Sequence, residues 1–291
     1  MSDNSTQDHF CPIPVGISVN AVLQLTKLDR HEARILVMHA LHLSRVQLIT
    51  QSNRSLTTNE AQHISRLFQR RIAGEPIAYI VGEREFYGLS FSVTSDVLIP
   101  RPDTELLVEL ALERLPRNGR LLDMGTGSGA IAIAVAHTRS DANVTALDRS
   151  AAALAVAQDN AMQHEVGVHF LHSDWYDAVA ETSFDVIVAN PPYIREDDAH
   201  LEQGDLRFEP ISALTDHADG MSALRMITSG ASRHLAADGW LLMEHGYDQS
   251  AAVRLLLADH GFLAVQSWRD IAGIERVSGG TLPKAAQAAT Q

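Results

Sequence analysis

The chain has 291 residues, 45% hydrophobic and 20% charged, the composition of a soluble globular protein with core enough for one large domain or a small and a medium one. Acidic residues outnumber basic ones 36 to 23, and a net charge of -13 argues against a large basic surface tracking a phosphate backbone. The longest apolar run, at 130–136, falls far short of the ~20 residues of a membrane span. The N-terminus lacks the basic and apolar regions of an export signal, and a single cysteine, Cys11, leaves no intramolecular disulfide, so a cytoplasmic protein is expected.

Residues 1–16 are polar and punctuated by proline, which predicts a loose arm. From 18 to 73 the pattern is helical. Asp29 with Glu32 has the spacing of a capping box for a helix through His42, with Ile35, Leu36, Met38 and Leu43 near its apolar stripe. Thr57 with Glu60 repeats the signal for a helix ending near Gly74, with Pro76 just beyond. Arg66, Arg70 and Arg71 on that helix read as a solvated face or a local basic patch. Residues 1–76 are therefore expected to form a small helical domain. At 77–100 the texture shifts to aromatic and β-branched residues around Tyr87-Gly88, which predicts a two-stranded ribbon linking it to a second domain over 101–291.

Pro102 suits the entrance of the next helix, with Asp103 or Thr104 as its cap and an end near Leu115. Thereafter strand candidates at 121–124, 144–148, 168–172, 184–189, 240–244 and 263–268 alternate with alanine-rich or amphipathic helical stretches. That alternation predicts an α/β fold, a largely parallel sheet covered on both faces. The segment after Gly279 has no anchoring pattern and reads as a disordered tail.

The first of these strands runs into Gly125-Thr126-Gly127-Ser128-Gly129 and then an apolar helix. Glycines allow a sharp turn and close approach to a ligand, and a helix N-terminus offers unpaired N–H groups. Asp148 ends the next strand, where a carboxylate can accept hydrogen bonds from both ribose hydroxyls. A nucleoside-bearing cofactor follows. Gly127 to Ala132 also satisfies the relaxed dinucleotide pattern G-x-G-x-x-A, so an NAD-binding fold competes, whereas the absence of Gly-Lys-Ser/Thr after the glycines excludes a triphosphate loop. Asp123 and Gly125 favour S-adenosylmethionine. After the third strand, Asp174 can accept from an adenine amino group and Trp175 can lie against the ring, or the pair can be a cap and a core-edge aromatic.

Asn190-Pro191-Pro192-Tyr193 closes the strand at 184–189, at the carboxyl end where open α/β sheets place ligands. Asn190 offers a side-chain carbonyl, each proline a backbone carbonyl without an N–H of its own, and Tyr193 a flat face. Such a set can grip the two hydrogens of a planar NH2 and turn its lone pair toward an electrophile. Asn190 and Pro191 are thus the expected catalytic acceptors, with Tyr193 clamping the plane.

With these stretches in register the chain resembles the class I S-adenosylmethionine-dependent methyltransferases, whose Rossmann-like domain it is expected to share. With Ile99-Pro100-Arg101-Pro102-Asp103-Thr104-Glu105 added, it resembles more narrowly the peptide chain release factor glutamine methyltransferases. The sister family acting on a ribosomal protein typically follows Pro-Arg with Ser-Pro instead. The resemblance implies N5-methylation of the glutamine in the Gly-Gly-Gln motif of class I release factors. It implies cofactor contacts at Gly125, Thr126, Gly127, Ser128, Gly129, Asp148, Trp175 and Asn190, to which the residue reading adds Asp174. Substrate contacts are implied across Asn190, Pro191, Pro192 and Tyr193, with the N-terminal domain docking a second surface of the release factor. Arg207-Phe208-Glu209-Pro210 and Glu244-His245-Gly246 match the family without an assigned role.

Two rival readings remain. A DNA adenine methyltransferase presents a similar tetrapeptide to a planar base amine but requires a basic channel and base flipping, which the charge disfavours. A methyltransferase-like fold kept only as a binding module would not need intact glycines, Asp148 and Asn190. The 14 histidines, among them His39, His42, His169 and His172, lack ligand spacing, so no metal is expected, and neither are nucleic-acid or membrane partners; a monomer is expected.

Overall fold

A computed structural model describes residues 12–179 and 183–283, which fall into two compact units, Met1–Gly82 and Glu83–Gln291. Cys11 and most of the expected arm lie outside the described residues. Its last part does not hang free, because Ile13 N–H donates to Ser65 Oγ at 3.0 Å and Gly16 N–H to the Leu56 carbonyl at 3.2 Å.

The first unit comprises α1 (Val19–Leu25), α2 (Arg30–Leu41), α3 (Arg45–Thr50), α4 (Thr58–Ile72) and α5 (Ile77–Val81). Side-chain oxygens of Ser18, Asp29, Ser44 and Thr57 cap the first four by accepting first-turn N–H groups. The Thr57–Glu60 capping box is reciprocal. Asp29 accepts from His31 and Glu32, but the Glu32 carboxylate turns to Arg71 at 2.8 Å, a charge-assisted pair stronger than a bond to a neutral N–H. Arg70 pairs with Glu75, so two of the three arginines that could have formed a basic patch are neutralised. The buried stripe of α2 is Ala33, Leu36, Val37 and Ala40, the i, i+3, i+4, i+7 spacing of a core face, while Ile35 and Met38 are only partly buried.

The stretch expected to open the ribbon instead begins with α5. Pro76 supplies a φ suited to starting a helix and Gly82 ends it in the left-handed region, so punctuation prevails over the β-branched content of Ile77–Val81. The ribbon itself is β1 (Glu83–Phe86) paired antiparallel with β2 (Leu89–Ser92), and Tyr87 and Gly88 both have positive φ, as a two-residue hairpin turn requires. It is built into the second unit: Phe86 and Phe91 are buried in that unit's core, and the Asn160 side chain bonds both the N–H and the carbonyl of Ser92.

The second unit continues with α6 (Glu105–Arg114), β3 (Arg120–Met124), α7 (Ala130–Thr138), β4 (Asn143–Asp148), α8 (Ala151–Gln163), β5 (Val168–His172) and β6 (Phe184–Ala189). It is completed by α9 (Ile211–Leu214), α10 (Ser222–Ala231), β7 (Leu235–Glu244), α11 (Ser250–Asp259), β8 (Leu263–Arg269) and β9 (Glu275–Thr281). Strand order is β5-β4-β3-β6-β7-β9-β8; β5 to β7 run parallel, and β9 pairs antiparallel with both β7 and β8. Alternation sends Leu121, Val144, Val186 and Leu242 into a core shared with α6 and α7, and Leu122, Leu147, Ile187 and Leu241 into one shared with α10 and α11.

β9 corrects the expectation of a loose end after Gly279. Gly279 and Gly280 look like a turn in sequence, yet they lie in the ladder opposite Leu242 and Leu241. A Cβ at 279 would come within 2.4 Å of the Leu241 carbonyl oxygen, so glycine there permits strands to close up rather than breaking them. Leu282 beyond it is buried; residues 284–291 lie outside the described ones. The expected cap of α6 also differs. A single 3-10 turn, Pro102–Thr104, leads in, and Thr104 makes no capping bond because its hydroxyl is engaged elsewhere.

Candidate active site

A cleft of about 260 Å³ is lined by residues that follow β3, β4, β5 and β6, closed on one side by Phe86 and the segment around Arg101. It contains Gly125, Thr126, Gly127, Ser128, Asp148, Asp174, Trp175, Asn190 and Pro192, all named from sequence. Gly129, Pro191 and Tyr193 are not on its wall.

The glycine loop is held from beneath. Gly125 and Thr126 N–H both donate to the Leu147 carbonyl at 2.9 Å, and Gly127 N–H donates to Asp148 Oδ2 at 2.9 Å. Gly127 has φ 55°, and a Cβ there would meet nothing within 4 Å, so the backbone faces open space. Gly129 does a different job. Its added Cβ would lie 2.7 Å from Ile133 Cδ1 and 3.1 Å from Ala157 Cβ, so the loop end packs on α7 and α8 only because no side chain intervenes. Asp148 Oδ1 meanwhile accepts from Ser150 N–H at 2.8 Å, which fixes the carboxylate and leaves a lone pair on each oxygen.

Under the loop lies Asp123, fully buried, its Oδ2 accepting from Thr126 Oγ1 at 2.6 Å and from Ala132 N–H at 3.3 Å. Burial pushes its carboxyl up to about 7 against the pull of those two donors, and Oδ1 is buried without a hydrogen-bonding partner. After β5, Asp174 is exposed, and Trp175 is partly buried with φ 46° and packs at the edge of the core.

Asn190 sits at the cleft end of β6, and its Nδ2 donates to Thr104 Oγ1 at 3.2 Å. Pro191 is buried. Tyr193 points its hydroxyl away from the cleft wall to Glu244 Oε1 at 3.3 Å, and burial raises its ionisation above the usual phenol range. The segment is clamped by Gln249, whose Nε2 donates to the carbonyls of Tyr193 at 3.0 Å and Gly220 at 3.2 Å. Gly220 has no room for a side chain, since a Cβ would stand 2.4 Å from the Tyr193 oxygen.

Glu244, the last residue of β7, is fully buried and pushed up to about 7 by burial, with Thr104 and Tyr193 as hydrogen-bonding groups opposing the shift. Its Oε2 has no partner. Next to it, His245 Nδ1 lies 2.9 Å from the Gly246 carbonyl, which requires it to be the donor; Nε2 therefore accepts from Ser278 Oγ at 2.7 Å, and the ring is held neutral by burial. Glu209 has a fully buried side chain that accepts from Ile99 N–H at 3.1 Å and pairs with Arg101, fixing the opposite wall. Burial raises its pKa, and Arg101 counters that rise. Glu209, Glu244 and Gln249 were not assigned a role from sequence, and Thr104 was expected only as a helix cap. The only signal for Glu209 and Glu244 was that Arg207 to Pro210 and Glu244 to Gly246 match stretches of the family the chain resembles. Among the described residues, no cluster of three His, Cys, Asp or Glu is placed to hold a metal.

Known proteins resemble both units of this chain. The methyltransferase small domain model matches residues 102–205, and the PrmC N-terminal domain model matches residues 20–82. The release factor glutamine methyltransferase of Neisseria gonorrhoeae (strain ATCC 700825 / FA 1090) is 51% identical over 90% of this chain and 97% of its own. That of Burkholderia pseudomallei (strain K96243) is 52% identical over 93% and 98%. The chain belongs to the release factor glutamine methyltransferase family. A methyltransferase from Pyrococcus furiosus superimposes with a TM-score of 0.53 at 18% identity, over 75% of this chain and 99% of that one, and shares the fold. Family membership thus extends across both units, and the α/β unit is a Rossmann-like methyltransferase domain.

Proposed function

We propose that the protein transfers a methyl group from S-adenosylmethionine to the side-chain amide nitrogen, N5, of the glutamine in the Gly-Gly-Gln motif of class I peptide chain release factors. The observation that carries this reading is identity above 50% across nine-tenths of the chain to proteins named for release factor glutamine methylation. The site fits the cofactor: Gly125 and Gly127 leave the backbone open to a ligand, Asp148 presents fixed carboxylate oxygens for ribose, and Asp174 and Trp175 line the same cleft. When bound, S-adenosylmethionine supplies an electrophilic sulfonium methyl.

A carboxamide nitrogen is a poor nucleophile because its lone pair is delocalised. Asn190 Oδ1 and the Pro191 carbonyl accept its two hydrogens, which orients the lone pair along the transfer direction at a near-attack separation of about 3–3.5 Å. The same acceptors stabilise positive charge developing on nitrogen. Pro192 contributes the apolar wall beside them. Tyr193, bonded to Glu244, secures the tetrapeptide from behind and clamps the amide plane only if its ring turns to the cleft. The nitrogen loses a proton after transfer, so a strong base in the cleft is not required.

The first unit has a surface suited to docking the protein substrate. A groove of about 540 Å³ on α1, α2 and α3 is lined by Leu23, Ile35, Met38, Leu48 and Ile49, with His31, Arg34 and Arg45 at its polar edge. Ile49, 74% exposed, adjoins the other apolar residues of this groove, and contiguous apolar surface is what marks an interaction site. The same reading makes the protein a cytoplasmic monomer.

Radiolabelled methyl transfer to purified release factor, with peptide mapping of the product, tests the whole assignment. The expected result is one methyl on the Gly-Gly-Gln glutamine and none on plasmid DNA. Label in DNA and not in release factor would replace it with base methylation.

A further inference from the structure

The two prolines that leave the carbonyls after Asn190 free of competing N–H groups also remove the donors by which a backbone is ordinarily tied down. The segment must therefore be held by its side chains and by whatever grips the backbone just beyond the prolines. Two bonds do so. Ile194 N–H donates to the Leu214 carbonyl at 2.9 Å, and the Tyr193 carbonyl accepts from the side chain of Gln249, 56 residues later, at 3.0 Å.

A primary amide has two hydrogens and a carbonyl oxygen, and Gln249 uses all three. Nε2 donates to the Tyr193 and Gly220 carbonyls, the second at 3.2 Å, while Oε1 accepts from Gly246 N–H at 2.8 Å. Two carbonyls demand a donor and an N–H demands an acceptor, so these partners fix which way the amide points. An ionised carboxylate in its place would have no hydrogen to give, and an ammonium no lone pair.

The surroundings are shaped to this amide. A Cβ at Gly220 would stand 3.0 Å from Nε2, and one at Gly246 would stand 3.1 Å from Oε1. The Gly220 loop is itself fixed by Asp216, whose carboxylate accepts from the N–H groups of Ala218, Gly220 and Ser222 at 3.0, 3.0 and 2.7 Å. Gln249 is the residue from which α11 starts, and its own N–H donates to the Gly246 carbonyl at 3.0 Å. The side chain thus reaches the tetrapeptide from the end of a helix, without lining the cleft.

We propose that Gln249 is a positioning residue for methyl transfer: its amide ties the loops after β6 and β7 and the turn at Gly220 together, and so fixes the backbone that presents Asn190 and the Pro191 carbonyl. This rests on the reading of those two groups as acceptors of the substrate amide hydrogens.

The test measures labelled methyl transfer to release factor, cofactor affinity by calorimetry and Tm for wild type, Q249M, Q249E and G220A. Q249M keeps the length of the side chain and loses every hydrogen bond. It lowers kcat by about 10- to 100-fold, from the loss of a hydrogen bond to a displacement of the acceptors by about 1 Å. Cofactor affinity and KM for release factor stay close to wild-type values. G220A presses a Cβ onto the Tyr193 oxygen from the other side and lowers kcat in the same way, which keeps the test in force where Q249M does not fold.

Q249E adds a signature that packing alone would not give. Its carboxylate faces two carbonyl oxygens, but once protonated it gives one of them a hydrogen. The rate of Q249E relative to Q249M therefore rises as pH falls from about 8 to about 6. Asp216, Asp219, Glu244, His245, Asp248 and Arg276, the charged and titratable groups of the surrounding segments, are common to both variants, so the ratio isolates the introduced carboxyl.

Wild-type kcat in Q249M, or in G220A where Q249M does not fold, overturns the proposal. So does a loss of cofactor affinity that accounts for the rate loss, and so does a Q249E to Q249M ratio that is flat with pH. Failure of the underlying reading looks different: wild type that leaves release factor unmethylated, or N190A with undiminished turnover.

Discussion

Two buried carboxyls, Asp123 and Glu244, stand at the ends of strands in one sheet and differ in what they hold. Both are fully buried, both are pushed up to about 7 by burial, and each has one oxygen without a partner. Asp123 supports the glycine loop through Thr126 and Ala132, three and nine residues away. Glu244 supports the Asn-Pro-Pro-Tyr segment through Tyr193, 51 residues away. The glycine-loop half of the cleft is thus held largely by its backbone bonding to the neighbouring strand end, and the Asn190 half by side-chain bonds between distant segments. The two halves should fail separately.

The largest effect is expected at Asn190. N190A should lower kcat by about 10²–10³, the usual cost of removing a preorganised group that stabilises developing charge, with cofactor affinity only moderately weakened in calorimetry. Equal losses in rate and cofactor affinity would join the halves that the structure separates. D148A should do the reverse, weakening S-adenosylmethionine about 10-fold or more by removing a charged acceptor, while turnover at saturating cofactor stays much closer to wild type.

The two carboxyls should also show in stability against pH. Each has a folded pKa near 7, above its ordinary values of 3.8 and 4.5, so its stabilising contribution is complete below about pH 4 and is lost as pH rises through 7. Tm should therefore fall between pH 5 and pH 8, by about 2–4 °C for each kcal/mol lost in a domain of this size. D123N and E244Q should each flatten that fall. The depressed carboxyls Glu60 and Asp219, both at about 2, act in the opposite sense and only in acid, where their stabilisation is lost as pH drops below 4. Smallest of all, I49D in the N-terminal groove should raise KM for release factor several-fold, the cost of losing one apolar contact at an interface, and leave kcat and cofactor affinity untouched; unchanged KM would argue that the substrate docks elsewhere.

Most of the fold was legible because it rests on signals carried within short windows. The βα alternation, the hairpin turn at Tyr87-Gly88, the Thr57–Glu60 box and the Gly125 to Gly129 loop each depend on residues a few positions apart. The errors arose where a local signal pointed both ways. Ile77 to Val81 has β-branched content but is bracketed by Pro76 and Gly82, and becomes helix. Gly279 and Gly280 read as a break but fill a site with no space for a Cβ, and become strand.

The sequence by itself determined which chemistry the chain carries: glycines and Asp148 at one strand end, Asn-Pro-Pro-Tyr at another, and an acidic balance unsuited to a phosphate backbone. Only the tertiary structure decided what Asn190 and Tyr193 bond to. Thr104, which the sequence offered as a helix cap, accepts from Asn190 Nδ2 instead, and Tyr193 turns to Glu244 rather than lining the cleft. The reason is physical. A helix cap or a glycine turn is fixed by dihedral preferences over a few residues, whereas the partner of a buried polar group is whichever group the fold brings within reach once water has gone.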